Sequence, residues 1–291
     1  MDNFDEARQV PISIRLMLPG DVAAGMRLKA LAGWNQTERD WRMFLAANPG
    51  GCYVATHRER VIGTAASIVY SGSLAWIGMV LVDPAYRRQG VATRLVQRAM
   101  AALKGVPTIK LDATALGKTL YERLGFRDAA GLGRLTAERA AIPGEATGLA
   151  SPLTENDLPR LAALDRAAFG ADRLGLIAAL IRANPDTAWK IERNRTIDGY
   201  CAGRPGSRYY QLGPLVAATP SDAIDLATAA LGVLSGQPVV IDVPLHQAAF
   251  LAWLAPLGFT KHRSFVRMVY GPDPRPGLPE TVFAVAGPEF G

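Results

Sequence analysis

Residues 86–93 read YRRQGVAT, a short stretch that contains two arginines, a glutamine and a glycine. It follows the apolar run LAWIGMVLV at 74–82 and an Asp-Pro turn. From Val91 to Leu103, apolar residues recur every three or four positions, which is the spacing of an amphipathic helix. The sequence therefore predicts a strand, a short loop and a helix in direct succession.

The loop of this stretch is suited to hold an anion. The first turn of a helix presents unpaired N–H groups and the positive end of the helix dipole. Gly90 lets the backbone approach a ligand closely, and Ala92 keeps the next contact position small. Arg87 and Arg88 add positive charge, and Thr93 adds a hydroxyl. Because successive N–H groups offer more donors than one phosphate needs, the loop predicts a pyrophosphate ligand.

The composition is that of an ordinary folded protein, with 291 residues of which 49% are hydrophobic. The two cysteines and three histidines are scattered without metal-ligand spacing, so no metal site is predicted. The polar start MDNFDEARQ does not resemble a signal peptide, and no apolar run reaches the length of about 18 residues that a membrane span needs. We therefore expect a cytoplasmic protein with no membrane partner.

The formal net charge of +6 is compatible with either a nucleic-acid ligand or a cofactor that carries phosphates. The basic residues are dispersed, and no nucleic-acid-binding motif accompanies them. The sequence therefore favours the cofactor and predicts no nucleic-acid partner.

The chain repeats itself once. Four blocks recur in the same order, among them ANPGG at 47–51 beside ANPDT at 183–187, and YERLGF at 121–126 beside LAPLGF at 254–259. Ordered similarity of this kind is the mark of a duplicated unit. We predict two domains, residues 1–143 and residues 147–291, which are called the N-terminal and C-terminal halves below. The segment AAIPGEATGLASP between them has the composition of a linker.

Each half predicts an α/β (α+β) fold with a mixed, mostly antiparallel sheet flanked by helices. In the N-terminal half, helices are predicted at 20–32, 37–47, 91–103 and 117–124. Strands 74–82 and 108–114 flank one helical crossover, so they should be parallel to each other. After Tyr270 the proline-rich GPDPRPGLPE should run extended across the surface, with TVFAVA adding an edge strand.

The motif RRQGVA resembles the Q/R-x-x-G-x-G/A signature of the GNAT superfamily of acyl-CoA-dependent N-acetyltransferases, through Arg87, Gly90 and Ala92. The flanking VLVDPAYRRQG and GKTLYERLGF also resemble motifs of that family. The resemblance implies two tandem GNAT-like domains, each with a splayed pair of parallel strands, and acetyl-CoA as the cofactor. It also implies direct attack of a primary amine of a small molecule or peptide on the thioester.

The resemblance implies a role for each matching residue. The strand at 76–82 should carry a β-bulge, and the backbone of Val80, Leu81 and Val82 should lie along the pantetheine arm. The diphosphate should rest on Arg87 and on the residues that follow it, namely Arg88, Gln89, Gly90, Val91, Ala92 and Thr93. Tyr121 should protonate the departing thiolate. Thr114 stands where many relatives have a cofactor-binding asparagine, and Lys118 should approach the phosphates.

The acceptor side is less specified. In the resembling family, the loop between the first two helices forms a wall of the acceptor site, which suggests Trp34, Asn35 and Glu38 as substrate residues. Trp34 and Trp41 would share one face if a single helix spanned both. The general base is left open among Glu38, Asp40, Asp112 and a chain of water molecules.

The C-terminal half has lost the matching residues. Alignment places SDAIDLA (221–227) opposite the anion loop, so that Ile224 replaces Gly90 and Leu254 replaces Tyr121. We expect a degenerate half that packs on the first, completes its acceptor pocket or mediates dimerisation, and a chain that is a monomer or homodimer. A CoA-binding sensor without turnover is the alternative to an enzyme.

Overall fold

The computed structural model describes residues 11–141, 144, 148–273 and 277–291, and the chain divides into two compact units. One unit contains the residues up to Ser67 together with Met79–Lys104, and the other contains Ile68–Gly78 and Gly105–Gly291. These units are not the two halves of the repeat. The predicted domain boundaries at 143 and 147 lie outside the described residues and stay a prediction.

The first unit is built from the early helices and strands and from the helix that follows the anion loop. In chain order these elements are β1 (Ser13–Leu16), α1 (Val22–Leu31), α2 (Glu38–Ala47), β2 (Tyr53–His57), β3 (Arg60–Tyr70), the end of β4 (Leu74–Val82) and α3 (Val91–Ala102). Strands β1, β2 and β3 are antiparallel neighbours. The sequence Arg58-Glu59-Arg60 predicts a short hairpin turn between β2 and β3, and the turn is confirmed, with Arg58 and Glu59 at positive φ angles of 48° and 65°.

The second unit contains the rest of the N-terminal half and all of the C-terminal half. Its elements after β4 are β5 (Thr108–Thr114), α4 (Ala115–Arg123), β6 (Arg127–Ala137), β7 (Ala150–Pro152), α5 (Leu158–Phe169), α6 (Leu174–Ala183), β8 (Trp189–Arg193), β9 (Thr196–Pro205), β10 (Tyr210–Ala217), α7 (Pro220–Val233), β11 (Val239–Pro244), α8 (Ala248–Leu254), β12 (Thr260–Tyr270) and β13 (Val282–Ala284). The strand order is β4-β5-β12-β6-β11-β10-β9-β8-β7. The pairs β4/β5 and β10/β11 are parallel and the others antiparallel, which confirms the predicted mixed sheet.

The two halves exchange their last strands within this sheet. Strand β12, which ends the repeat in the C-terminal half, pairs with β5 of the N-terminal half. Strand β6, which ends the N-terminal half, pairs with β11 of the C-terminal half. The two exchanged strands also pair with each other. Each half therefore completes the sheet of the other.

Two buried ion pairs link the halves at this exchange. Arg134 on β6 lies opposite Asp242 on β11, and the two hydrogen bonds from its guanidinium to the carboxylate are both 2.8 Å long. Arg267 on β12 lies opposite Asp112 on β5, with two hydrogen bonds of 2.9 Å. Both carboxylates have 0% exposed side chains. Because the paired strands come from different halves, each ion pair forms only when the strands are exchanged.

Each parallel pair is short and then opens. Strand β4 pairs with β5 only over Leu74–Trp76, and β10 pairs with β11 only over Tyr210–Leu212. The predicted parallel arrangement is therefore confirmed for the start of each strand. Met79 in β4 has a φ of 55°, which is rare for a residue other than glycine and marks the predicted irregularity in this strand.

The described residues of the proline-rich stretch 271–280 are exposed or half-buried, in agreement with the prediction for that stretch. The prediction that TVFAVA adds an edge strand is wrong. Residues 283–287 and 289–291 are buried, and β13 pairs with the interior strand β10 rather than with a sheet edge. The physical reason is the apolar sequence VFAVA, which gains free energy when it leaves water.

Replacing Asp242 with asparagine should lower the free energy of unfolding by about 3–5 kcal/mol, because the buried guanidinium of Arg134 loses its counter-charge. Chemical denaturation measures this change. The control is Glu38→Gln, which breaks the exposed pair between Glu38 and Arg42 and should cost less than about 1 kcal/mol. A cost for Asp242→Asn as small as that of the control would contradict this account of the exchange.

Candidate active site: an anion cradle and its surroundings

The anion loop begins at Asp83, directly after β4. The Asp83 carboxylate accepts hydrogen bonds from the Ala85 N–H at 3.2 Å, from Arg27 at 2.9 Å and from Arg60 at 3.1 Å. A turn of 3-10 helix follows at Pro84–Tyr86. Asp83 thus fixes the start of the loop by binding both its backbone and two flanking arginines.

Asp83 is ionised in this setting. Burial alone would raise the pKa of its carboxyl group, but hydrogen bonds from Arg27 and the Ala85 N–H, with the charges of Arg27 and Arg60, hold that pKa below its ordinary value. From the sequence, Asp83 is recognisable only as a turn residue. Its partners Arg27 and Arg60 are distant in sequence, so no local pattern points to them.

The backbone of the loop turns twice into the left-handed region. Arg88 has a φ of 61° and Gly90, the residue that precedes α3, has a φ of 74°. Alternation of this kind turns successive N–H groups toward one concave surface. A Cβ atom at Gly90 would meet nothing within 4 Å, so the space in front of this residue is open.

The N–H groups of residues 88–93 have no hydrogen-bond acceptor in the described part of the chain, whereas the N–H of Arg94 already bonds to the carbonyl of Gly90 at 3.0 Å. Arg87, Arg88 and Gln89 are exposed at the same surface. Residues 87–93 therefore combine free N–H donors, the positive end of a helix and two guanidinium groups. We call these residues the anion cradle. This donor set fits a diphosphate, because each phosphate oxygen can accept a separate backbone N–H.

The end of β4 leads directly into the cradle. Met79 is buried, and its carbonyl accepts a hydrogen bond of 2.7 Å from the Thr64 hydroxyl. Beyond it Val80 and Val82 are half-buried and Leu81 is buried. The prediction that the backbone of these three residues lies along a cofactor arm stays a prediction.

Tyr121 lies on α4 in an apolar environment. Its side chain is only 8% exposed, its ring meets the edge of Phe126 at a centroid distance of 5.9 Å, and it packs on Gly117. Burial raises the pKa of its phenol well above the ordinary value. The hydroxyl has no hydrogen-bond partner in the described chain, so at neutral pH it is a protonated donor without an internal acceptor.

Thr114 and Lys118 both have structural partners. The Thr114 hydroxyl accepts the N–H of Gly117 at 3.3 Å and thereby caps the start of α4. Lys118 lies 2.7 Å from Asp128 and 3.3 Å from Glu122, and hydrogen bonds to these two carboxylates raise its pKa. Their predicted contacts with a cofactor stay predictions.

The predicted acceptor residues lie around the connection between α1 and α2. Trp34 is half-buried, Asn35 is buried and Glu38 is exposed. No single helix spans Trp34 and Trp41, because α1 ends at Leu31 and Trp34 stands in the connecting loop, so the condition for a shared helical face is not met.

Two of the candidate bases already have structural roles. Asp40 accepts hydrogen bonds from the backbone and hydroxyl of Thr37 at the start of α2, and Asp112 is paired with Arg267. Burial raises the pKa of Asp112, against the opposing charge of Arg267. Glu38 is free of such a commitment apart from an exposed pair with Arg42.

In the described part of the C-terminal half, the connection that follows β10 forms no cradle. Only Ala218 and Thr219 connect β10 with α7, where residues 83–90 connect β4 with α3. The Thr219 hydroxyl accepts the N–H of Asp222, and Asp222 is paired with Arg193. The stretch aligned with the cradle in the sequence is therefore inside α7, and the start of this helix is already capped.

Comparisons with known proteins identify the family. Models described as acetyltransferase (GNAT) domains match residues 48–128 and residues 161–284. An uncharacterized N-acetyltransferase of Bacillus subtilis (strain 168), YitH, is 30% identical over 193 residues, which are 65% of this chain and 67% of that protein. Holothin acyltransferase of Pseudoalteromonas sp. (strain SANK 73390) is 23% identical over 259 residues, covering 89% of this chain and 87% of that protein.

Solved structures have the same fold. A putative acetyltransferase from Pyrococcus horikoshii superposes with a TM-score of 0.80 at 23% identity, over 96% of each chain. A tandem GNAT protein from the clavulanic acid biosynthesis pathway superposes with a TM-score of 0.61 at 16% identity, over 90% of this chain and 99% of that one. The chain belongs to the GNAT acetyltransferase family, and it is an acyltransferase with tandem GNAT domains.

Among the described residues, no helix combines the length and apolar character that a membrane crossing requires. Within the same ranges, no group of three or more His, Cys, Asp or Glu side chains is arranged to hold a metal ion.

Proposed function

We propose that the protein transfers an acetyl group from acetyl-CoA to a primary amine of a small molecule or peptide. The observation that carries this proposal is the run of N–H groups in the anion cradle that have no acceptor in the described chain. A solvated loop that merely capped a helix would not need two left-handed residues or an open glycine.

The cradle supports a diphosphate-bearing cofactor rather than a single phosphate. In the proposal, the N–H groups of residues 88–93 bind the diphosphate oxygens, and the guanidinium groups of Arg87 and Arg88 neutralise its charge. Val80, Leu81 and Val82 lie along the arm that connects the diphosphate to the thioester. Acetyl-CoA supplies the acetyl group as an activated thioester.

Catalysis in this proposal is positioning together with proton transfer. The amine nitrogen forms a bond to the acetyl carbon and gives up a proton to water, the carbon–sulfur bond breaks, and the thiolate takes up a proton. Tyr121 is proposed as the donor of that proton. Its lack of an internal acceptor supports this role, because the phenol is neutral at physiological pH and its hydroxyl is free to donate to the sulfur.

The proposed acceptor site uses Trp34, Asn35 and Glu38. Of the three predicted carboxylates, Asp40 caps a helix and Asp112 pairs with Arg267, so Glu38 is the one that has neither role. We propose it, or water that it binds, as the group that takes the proton from the ammonium form of the substrate. Thr114, which precedes α4, and Lys118, in its first turns, remain proposed cofactor contacts.

Release of free thiol from acetyl-CoA across a library of primary amines tests this function. At least one amine should give release that depends on enzyme, and Tyr121→Phe should lower that rate by roughly 10²–10⁴-fold, the usual contribution of general acid catalysis. The affinity for CoA should stay within a few-fold of the unmodified protein. The control is Tyr270→Phe, since Tyr270 also packs on Phe126 and should not affect the rate.

Silence across the whole library with retained CoA binding would favour the sensor over the enzyme. An unchanged rate in Tyr121→Phe would remove this residue from the mechanism while leaving the transfer itself intact.

Gly90→Ala should weaken binding of acetyl-CoA at least tenfold in a calorimetric titration, because the added Cβ enters the open space of the cradle. The matched control is Gly72→Ala. Gly72 has a φ of 71°, close to the 74° of Gly90, and also has nothing within 4 Å of a built Cβ. Both variants carry the same left-handed strain of about 1–2 kcal/mol. Equal weakening in both would mean that strain, and not the cradle, causes the effect.

A further inference from the structure

The last ten residues, 282–291, form a segment that neither the repeat nor the cradle explains. We call it the C-terminal tail. Phe283, Ala284 and Val285 are at most 2% exposed, and Phe290 is fully buried. The segment is therefore part of the packed interior of the protein, although it follows a proline-rich stretch.

The tail lies in the opening between β10 and β11. After Leu212 the two strands no longer pair with each other, and Leu215 and Val216 of β10 pair instead with the tail, antiparallel. On the other side, the N–H of Val285 donates a 3.0 Å hydrogen bond to the carbonyl of Asp242 on β11. The tail is therefore hydrogen-bonded to both strands that the opening separates.

Two glycines, each on a strand that opens, make room for the tail. They are Gly213 in β10 and Gly78 in β4. A Cβ at Gly213 would lie 2.1 Å from the carbonyl oxygen of Val285, and a Cβ at Gly78 would lie 2.9 Å from that of Glu289. Any side chain at Gly213 would therefore displace the tail or the strand.

Polar side chains hold the rest of the tail by its backbone carbonyls. The indole of Trp76 donates to Pro288 at 2.9 Å, and the Tyr70 hydroxyl donates to Phe290 at 2.9 Å. Further carbonyl contacts come from two buried arginines: Arg204 donates to Ala286, and Arg173 donates to Gly291 at 2.7 Å. Recognition of backbone carbonyls is the mode by which a protein binds an extended peptide.

We propose that the opening between β10 and β11 is a binding groove for an extended, mostly apolar peptide, and that the chain fills it in cis with its own C-terminal tail. The filled groove excludes an acyl-CoA arm from the C-terminal half. This statement about the acyl-CoA arm rests on the proposed function, in which the arm lies in the corresponding opening beside β4. The peptide groove itself stands on the contacts described above.

Hydrogen exchange on the unmodified protein is the first test. Peptic fragments that contain residues 282–290 should exchange as slowly as fragments from β10, within about tenfold, because their N–H groups are buried and paired. Exchange at the rate of an unstructured chain would overturn the proposal. This measurement requires no variant, so it decides even if the variants below do not fold.

Val285→Pro is the second test, because it removes the N–H that bonds to Asp242. Its tail should lose protection at least 100-fold, while Val285→Ala, which keeps the N–H, should stay protected. A labelled synthetic peptide of residues 279–291 should then bind Val285→Pro saturably with one site per chain. It should bind the unmodified protein at least tenfold more weakly, because the groove there is filled.

A peptide that itself carries Val285→Pro is the control ligand and should not bind. Equal binding of the peptide to the variant and the unmodified protein, or binding to neither, would overturn the proposal. None of these measurements contains CoA or an amine. A failure of the proposed acetyl transfer would therefore leave them unaffected, and their failure would leave acetyl transfer open.

Discussion

The two buried Arg–Asp pairs, Arg134–Asp242 and Arg267–Asp112, join strands that come from different halves of the chain. An unpaired ion in such a place costs several kcal/mol, so each pair strongly favours the exchanged strand order over one in which each half closes on itself. A consequence reaches α4. Strand β12 flanks β5, and its last residue, Tyr270, packs on Phe126 beside Tyr121. The C-terminal half thus supports the helix that carries the proposed proton donor.

Both halves contain a parallel pair of strands that opens, and the two openings are occupied differently. In each, a parallel pair of strands opens after three residues beside a glycine. In the N-terminal half the opening strand leads through residues 83–90 into a helix start with free N–H groups, which suits a diphosphate. In the C-terminal half the connection is shortened, the helix start is capped by Thr219, and the C-terminal tail lies in the opening. Loss of the cradle and filling of the groove are consistent with each other, because the tail occupies the opening in which a cofactor arm would lie.

The sequence was informative wherever the determining interactions are local. The helix after Gly90, the hairpin turn at Arg58 and Glu59, and the parallel start of β4 and β5 follow from periodicity, turn residues and the handedness of crossovers. Trp34 and Trp41 do not share a helical face, because a short loop separates α1 from α2. What the sequence did not reveal depends on pairing between distant residues. Asp83 with Arg27, the exchanged strands and the tail between β10 and β11 all need a register that a single sequence does not encode.

The central claim is that only one of the two related halves accepts the cofactor. Native mass spectrometry of the full-length protein in the presence of excess acetyl-CoA tests it most directly, because it counts bound ligands for each chain. We expect one acetyl-CoA for each chain at saturation, and half-occupancy of Gly90→Ala at an acetyl-CoA concentration at least tenfold higher than for the unmodified protein. Two bound molecules for each chain, or an unchanged concentration for half-occupancy in Gly90→Ala, would contradict the account.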